Sequence, residues 1–279
     1  MNTGDPYGAD CRNRSDPHFP GPFSLKAMPE MMIEHENMKI PVLSTDNGWL
    51  VLDKPAGMSI HNDPGRDLCS LVSHFLQKGT VIGEKTDIDP GFGVNPVHRL
   101  DKETSGVIVL AFNREVFRFF SKQFELNQVK KRYIAILHGR LEEPEDGRQW
   151  GIWDWALAGT SGGRQNPVGA GRLQESRTKY RIIDHSAHYT MVEIELLSGR
   201  THQIRRHAKL SGHPVVGDAR YGSTRAINYL RRNFGFDRLA LHARSLTILL
   251  PGGKEPETIE TPAIPKQMLD LFQTDSSTA

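Results

Sequence analysis

Residues 98–106, a polar stretch of nine, run without a break into the apolar hexapeptide Val107-Ile108-Val109-Leu110-Ala111-Phe112. A continuous apolar run with three β-branched residues fits a strand buried on both faces rather than an amphipathic one. The spacing therefore predicts a central strand at 107–112. The stretch before it places Asp101 between a basic pair, His98 and Arg99, and a small-residue turn at Thr104, Ser105 and Gly106.

Other elements follow from periodicity. Trp49 to Leu52 reads as a short strand that ends in the turn Lys54-Pro55-Ala56-Gly57. Leu68, Leu71, Val72 and Phe75 predict a helix over 67–77, and residues 79–96 read as loop. Asn113 is a good N-cap, and Val116, Phe119, Phe120 and Phe124 form an amphipathic stripe after it. Strands are expected at 132–137, 178–183, 191–197 and 246–250, with a loop of about 35 residues after the first. Helices are expected at 201–210, stopped by Gly212 and Pro214, and at 264–272. Several strands adjoin with no helix between them, so the expected class is α+β with a mixed, mostly antiparallel sheet. Residues 1–40, rich in Pro, Gly and charge, are expected to be a disordered tail, with one domain over 41–279.

Composition narrows the function classes. The chain has 279 residues, 24% of them charged and 37% hydrophobic, which suits a globular protein with a core of useful size. No apolar run is long enough to cross a bilayer, and no signal peptide is visible at the start. Two cysteines, Cys11 and Cys69, make no disulfide framework and fit a reducing, cytoplasmic setting. Net charge is only +2, but it is unevenly spread. Residues 111–140 hold seven Lys/Arg against two acidic residues, and 172–209 hold eight against four. A basic middle with acidic flanks is the pattern of a phosphate-binding face.

An isolated aspartate most often organises a turn. It can also act as a nucleophile that needs neither metal nor organic cofactor. The full string shifts the balance toward the second. His98-Arg99-Leu100-Asp101 followed by Thr104-Ser105-Gly106 resembles the signature of the RluA-type RNA pseudouridine synthases. A second string, Gly199-Arg200-Thr201-His202-Gln203-Ile204-Arg205-Arg206-His207, resembles another signature of that family. So do Lys54 to His61, Lys131-Arg132-Tyr133, Gly212 to Asp218 with Tyr221-Gly222, and Leu239 to Ala243, in order over residues 48–250.

The resemblance implies a pseudouridine synthase fold with flanking helices and a central catalytic cleft. It implies an isomerase that uses Asp101 as nucleophile, Arg205 as its ion partner and Tyr133 as the group stacked on the base and handling the C5 proton. Arg99 is implied to fill the gap left by a flipped uridine, which stacking would otherwise hide. His98, Lys130 and Arg206 are candidate RNA contacts beside these positions. The implied partner is tRNA or 23S rRNA, with a short tRNA-acting form preferred and no S4 module expected. No cofactor and no metal are implied; His202, His207 and His213 fit no usual metal spacing. A monomer is expected. The alternative is a non-catalytic RNA-binding protein on the same scaffold.

Overall fold

A computed structural model describes residues 31–35, 38–78, 88–144 and 148–277. The strands are β1 (Met32–His35), β2 (Met38–Asp46), β3 (Trp49–Lys54), β4 (Asn95–Pro96), β5 (Ser105–Ala111), β6 (Lys130–His138), β7 (Gly151–Trp153), β8 (Leu157–Thr160), β9 (Ala170–Gln174), β10 (Thr178–His185), β11 (Tyr189–Leu196), β12 (Leu241–Ile248) and β13 (Glu257–Glu260). The helices are α1 (Leu68–Gln77), α2 (Arg114–Glu125), α3 (Gln203–Leu210), α4 (Thr224–Phe234) and α5 (Lys266–Ser276). Eleven strands form one sheet with the path β1-β2-β3-β5-β12-β6-β11-β10-β7, while β4 pairs with β5 and β13 with β12. The β5–β12 pair is parallel and the other pairs are antiparallel, so the sheet is mixed and mostly antiparallel, as the succession of strands without intervening helices suggested.

The apolar hexapeptide dictates the layering. Every residue of β5 is buried. On one face Ile108 and Leu110 join Leu50, Leu52 and the buried side of α1 (Leu68, Leu71, Val72). On the other, Val107 and Val109 meet Trp49, Val51, Leu246, Ile248 and Phe120 of α2. The N-caps behave as their side chains require: Asp67 accepts from the Ser70 N–H and Asn113 from the Val116 N–H.

Several boundaries differ from the sequence expectation. Strands β1 and β2 precede Trp49, and β1 lies inside the stretch expected to be tail; residues 1–30 lie outside the described residues. The cause is a hairpin, in which Ile33 and Ile40 pair and bury their side chains despite polar neighbours. The long loop after β6 holds β7 and the two-stranded β8–β9 sheet, elements too short for a periodic signal. Helix α4 and strand β13 were not anticipated either.

One row across the sheet centre positions the site. Lys54 of β3 lies opposite Gly106 of β5, Gly106 opposite Ala243 of β12, and Ala243 opposite Tyr133 of β6. Gly106 has φ +117°, and a Cβ there would lie 2.2 Å from the Ala243 carbonyl oxygen. Only glycine allows the two parallel strands to close up at this point. Gly106→Ala should therefore cost about 2–5 kcal/mol, combining backbone strain and overpacking against main chain. Urea unfolding measures this, and wild-type stability in the variant would show that β5 and β12 can separate cheaply.

Candidate active site

The turn into β5 and the start of α3 face each other across an open cleft of about 410 Å³. His98, Arg99, Asp101, Lys131, Tyr133, His202 and Arg205 are among the residues on its walls. Residues more than a hundred positions apart thus meet because β5, β12 and β6 are neighbours.

Asp101 is 15% exposed at its side chain. Its Oδ2 accepts a hydrogen bond from Arg205 Nη1 at 3.1 Å, and its Oδ1 lies 3.7 Å from His202 Nε2. Arg205 is itself clamped. Its Nε and Nη2 donate to the two oxygens of buried Asp218 at 2.7 and 2.9 Å, a bidentate fork. The Asp218 carboxylate is fixed in turn by the backbone N–H groups of Arg220 and Tyr221. Nη1 is left to face Asp101 at 3.1 Å and Glu103 at 3.3 Å. Burial works against the Arg205 charge, but the hydrogen bonds and charge of Asp218 and the charge of Asp101 outweigh it, and the pKa is raised. The guanidinium is a permanent cation aimed at the Asp101 carboxylate.

His202 takes a left-handed conformation (φ 53°) just before α3, so the helix starts two residues later than its periodicity suggested. Its Nδ1 pairs with the Tyr221 hydroxyl at 3.0 Å. Burial lowers its pKa, which favours the neutral ring next to Asp101.

Lys54, in the row described above, lies beneath the Asp101 turn. Its Nζ donates to the carbonyls of Pro55, Met58 and Lys102 at 2.9, 2.8 and 3.1 Å. Burial pushes its pKa down to about 7, while three carbonyl acceptors match the three N–H donors of an ammonium. The side chain ties the turn carrying Asp101 to the end of β3.

Tyr133 is buried and reaches the cleft wall. Burial, then the charge of Asp101, raises the pKa of its phenol, which keeps it protonated. Arg99 is exposed at the cleft, where it can reach a bound polymer.

Three of the anticipated contacts are placed otherwise. Arg206, expected to touch phosphate, is fully buried. Its guanidinium donates to the carbonyls of Pro167 (2.6 Å), Ala158 (3.0 and 3.1 Å), Thr201 (3.1 Å) and Val168, pinning the β8–β9 hairpin to α3. Helical spacing cannot show that a second element covers that face. Lys130 faces Glu195 at 3.7 Å on the side of β6 away from Tyr133. Strand alternation turns Lys131 into the cleft instead. His98 lines the cleft but is occupied internally. Its Nε2 accepts from the Val109 N–H at 3.1 Å and its ring stacks on Phe124 at 4.9 Å. Burial pushes its pKa down to about 3, so the neutral ring acts as a backbone acceptor for the β5 ladder.

Asp218, His202, Lys131 and Lys54 had no assigned role in the sequence reading. Lys131 was accessible from the two-residue strand period that includes Tyr133. Asp218 and Lys54 stand inside recognised motifs, but their roles depend on contacts with distant segments. The histidines weighed as a metal set diverge: His207 bonds Thr178 and the Trp155 carbonyl, and His213 the His138 carbonyl. Among the described residues no group of three His, Cys, Asp or Glu side chains is placed to hold a metal ion.

The family model described as RNA pseudouridylate synthase matches residues 48–210, more than half the chain. The chain belongs to the RNA pseudouridylate synthase family. It is 30% identical to ribosomal large subunit pseudouridine synthase C of Buchnera aphidicola over 85% of this chain and 70% of that protein. It is 33% identical to ribosomal large subunit pseudouridine synthase D of Zymomonas mobilis over 86% of this chain and 74% of that protein. It is 31% identical to tRNA pseudouridine synthase C of Haemophilus ducreyi over 80% of this chain and 90% of that protein. The fold matches that of human RNA pseudouridylate synthase domain containing 4, with a TM-score of 0.61 at 22% identity, covering 82% of this chain and 90% of that one. The protein is thus a pseudouridine synthase, an isomerase acting on uridine in RNA.

Proposed function

We propose that this enzyme converts uridine to pseudouridine in tRNA, with Asp101 as nucleophile. The observation that carries the reading is the Asp101 carboxylate in an open cleft, bonded at 3.1 Å to an arginine that Asp218 holds rigid. A binding protein needs no partly buried carboxylate held in this way, which argues against the non-catalytic alternative. The synthase named for tRNA is matched over 90% of its length, which supports tRNA over 23S rRNA.

The roles are those the family resemblance implies, and the position of each residue supports its role. Arg99, exposed at the cleft mouth, fills the space left when the uridine leaves its stack. Asp101 attacks the flipped nucleotide at the sugar or the base, and the N-glycosidic bond breaks. The uracil turns and rejoins the ribose through C5, the bond to Asp101 breaks to restore the carboxylate, and C5 gives up its proton while N1 takes one up. Tyr133 packs on the base. Bond formation at Asp101 removes the negative charge that helps hold the Tyr133 pKa high, so the phenol becomes more acidic while the intermediate exists. The chemistry requires no cofactor. A cytoplasmic setting belongs to the same reading, supported by the low cysteine content, and so does a monomeric state.

Purified protein should be incubated with tRNA and, separately, with 23S rRNA, and the products mapped by carbodiimide labelling and primer extension. New pseudouridine in tRNA is the expected result. New pseudouridine in 23S rRNA alone overturns the target, and its absence from both overturns the enzyme reading.

A further inference from the structure

The helix α4, outside the cleft, carries an exposed face for which the fold itself gives no use. It buries a single side chain, Leu230, and has no acidic residue between Thr224 and Phe234. Arg225, Tyr229 and Arg232 stand at i, i+4 and i+7, on one side of the helix and about 10 Å from end to end at 1.5 Å per residue. All three are exposed, and Tyr229 is 56% exposed, more than any other large hydrophobic side chain described. The Phe234 ring lies edge-on to it at 5.9 Å, so a second aromatic ring adjoins the patch.

Ordinary helix chemistry accounts for part of this. Arg231 and Arg232 lie in the last turn, where the macrodipole favours cations. Arg225 lies in the first turn, where it does not, and α4 offers no carboxylate to pair with it. Helix chemistry gives the exposed Tyr229 ring no use beyond its edge contact with Phe234. A polyanion with flat rings satisfies both residue types at once.

The helix is also firmly placed relative to the site. Its first residue, Thr224, accepts from Arg164 at 3.1 Å. Tyr221, three residues earlier, bonds His202 beside Asp101. At the other end Gly235 caps α4 in a left-handed conformation, and buried Phe236 holds the chain against the body.

We propose that this face docks a second segment of the RNA whose uridine enters the cleft. Arg225 and Arg232 take backbone phosphates, and an unstacked base lies on Tyr229. The inference rests on the reading that RNA is the substrate. It adds that substrate choice is made partly outside the cleft, by whether an unpaired nucleotide lies within reach of α4.

Binding of unfractionated tRNA should be measured by filter retention across a salt series for wild type, Arg225→Gln/Arg232→Gln, Tyr229→Leu and Tyr229→Phe. Two lost phosphate contacts should flatten the slope of log affinity against log salt by about 1.4 to 1.8. Tyr229→Leu should weaken binding by about fivefold to a hundredfold, and Tyr229→Phe should restore it, because stacking needs the ring alone. Melting temperatures should match wild type, since none of the three side chains is buried. Wild-type affinity and slope in the double variant overturn the proposal. Equal loss in Tyr229→Leu and Tyr229→Phe overturns the stacked base. Altered sedimentation with unchanged RNA affinity makes the face a protein contact and also overturns it. Pseudouridine formation is read separately. If it is absent in wild type while the α4 variants still bind tRNA poorly, the catalytic reading fails and the docking face stands.

Discussion

Asp101→Asn is expected to abolish pseudouridine formation, with a rate loss of at least about a thousandfold for removal of a covalent nucleophile. The fold should survive. An asparagine oxygen can still accept from Arg205 Nη1, and Asp218 continues to neutralise the buried guanidinium. No charge is stranded, so unfolding free energy should change by about 1 kcal/mol or less, the scale of one altered hydrogen bond. RNA affinity should also persist, because Asp101 adds negative charge to the cleft and contributes nothing to phosphate binding. Single-turnover rates, urea melts and filter binding on the same preparation separate these effects. Near-wild-type turnover in this variant would remove Asp101 from the chemistry, whereas equal loss of binding and turnover would make it a folding residue.

The parts of this site legible in the sequence are those whose chemistry is local. The hexapeptide 107–112 could only be an interior strand, and β5 is buried at every position. Asp101, four residues before it, was then bound to sit at the rim of the core. The pairing of Asp101 with Arg205 came from family resemblance, since no spacing rule connects residues that far apart. Arg206 shows the limit of periodicity. Next to Arg205 on a short basic helix, it read as surface until the β8–β9 hairpin, whose strands have four and five residues, covered it. Lys130 and Lys131 show the opposite case. The two-residue period of a strand separates them, and only Lys131 shares a side with Tyr133. Asp218 was out of reach of sequence reasoning because its role lies in the geometry of its two oxygens around one guanidinium.

That geometry carries the second large effect. Arg205→Lys keeps the charge and loses the fork. One ammonium cannot engage both oxygens of Asp218 and also reach Asp101, so the nucleophile loses its fixed aim. A misplacement of about 1 Å can cost about a hundredfold in rate, and a loss of that order or greater is expected here. Asp218→Asn should act through the same path without touching substrate. It removes the fully buried partner, leaves Arg205 dependent on Asp101 and Glu103, and should cost about 3 kcal/mol of stability for an uncompensated buried charge. The two substitutions share one interaction, so their effects on the rate should not add. In Arg205→Lys/Asp218→Asn the turnover should lie close to that of the worse single variant, with about 1–3 kcal/mol of coupling. Tyr221→Phe supplies the contrast. It removes the hydroxyl that meets His202 and Ser161 and leaves the Asp218–Arg205–Asp101 chain intact. Additive losses in the double variant would show that Asp218 stabilises the loop after α3 without steering Arg205. The aim of Asp101 would then have to come from the turn beneath it, where Lys54 holds the Lys102 carbonyl.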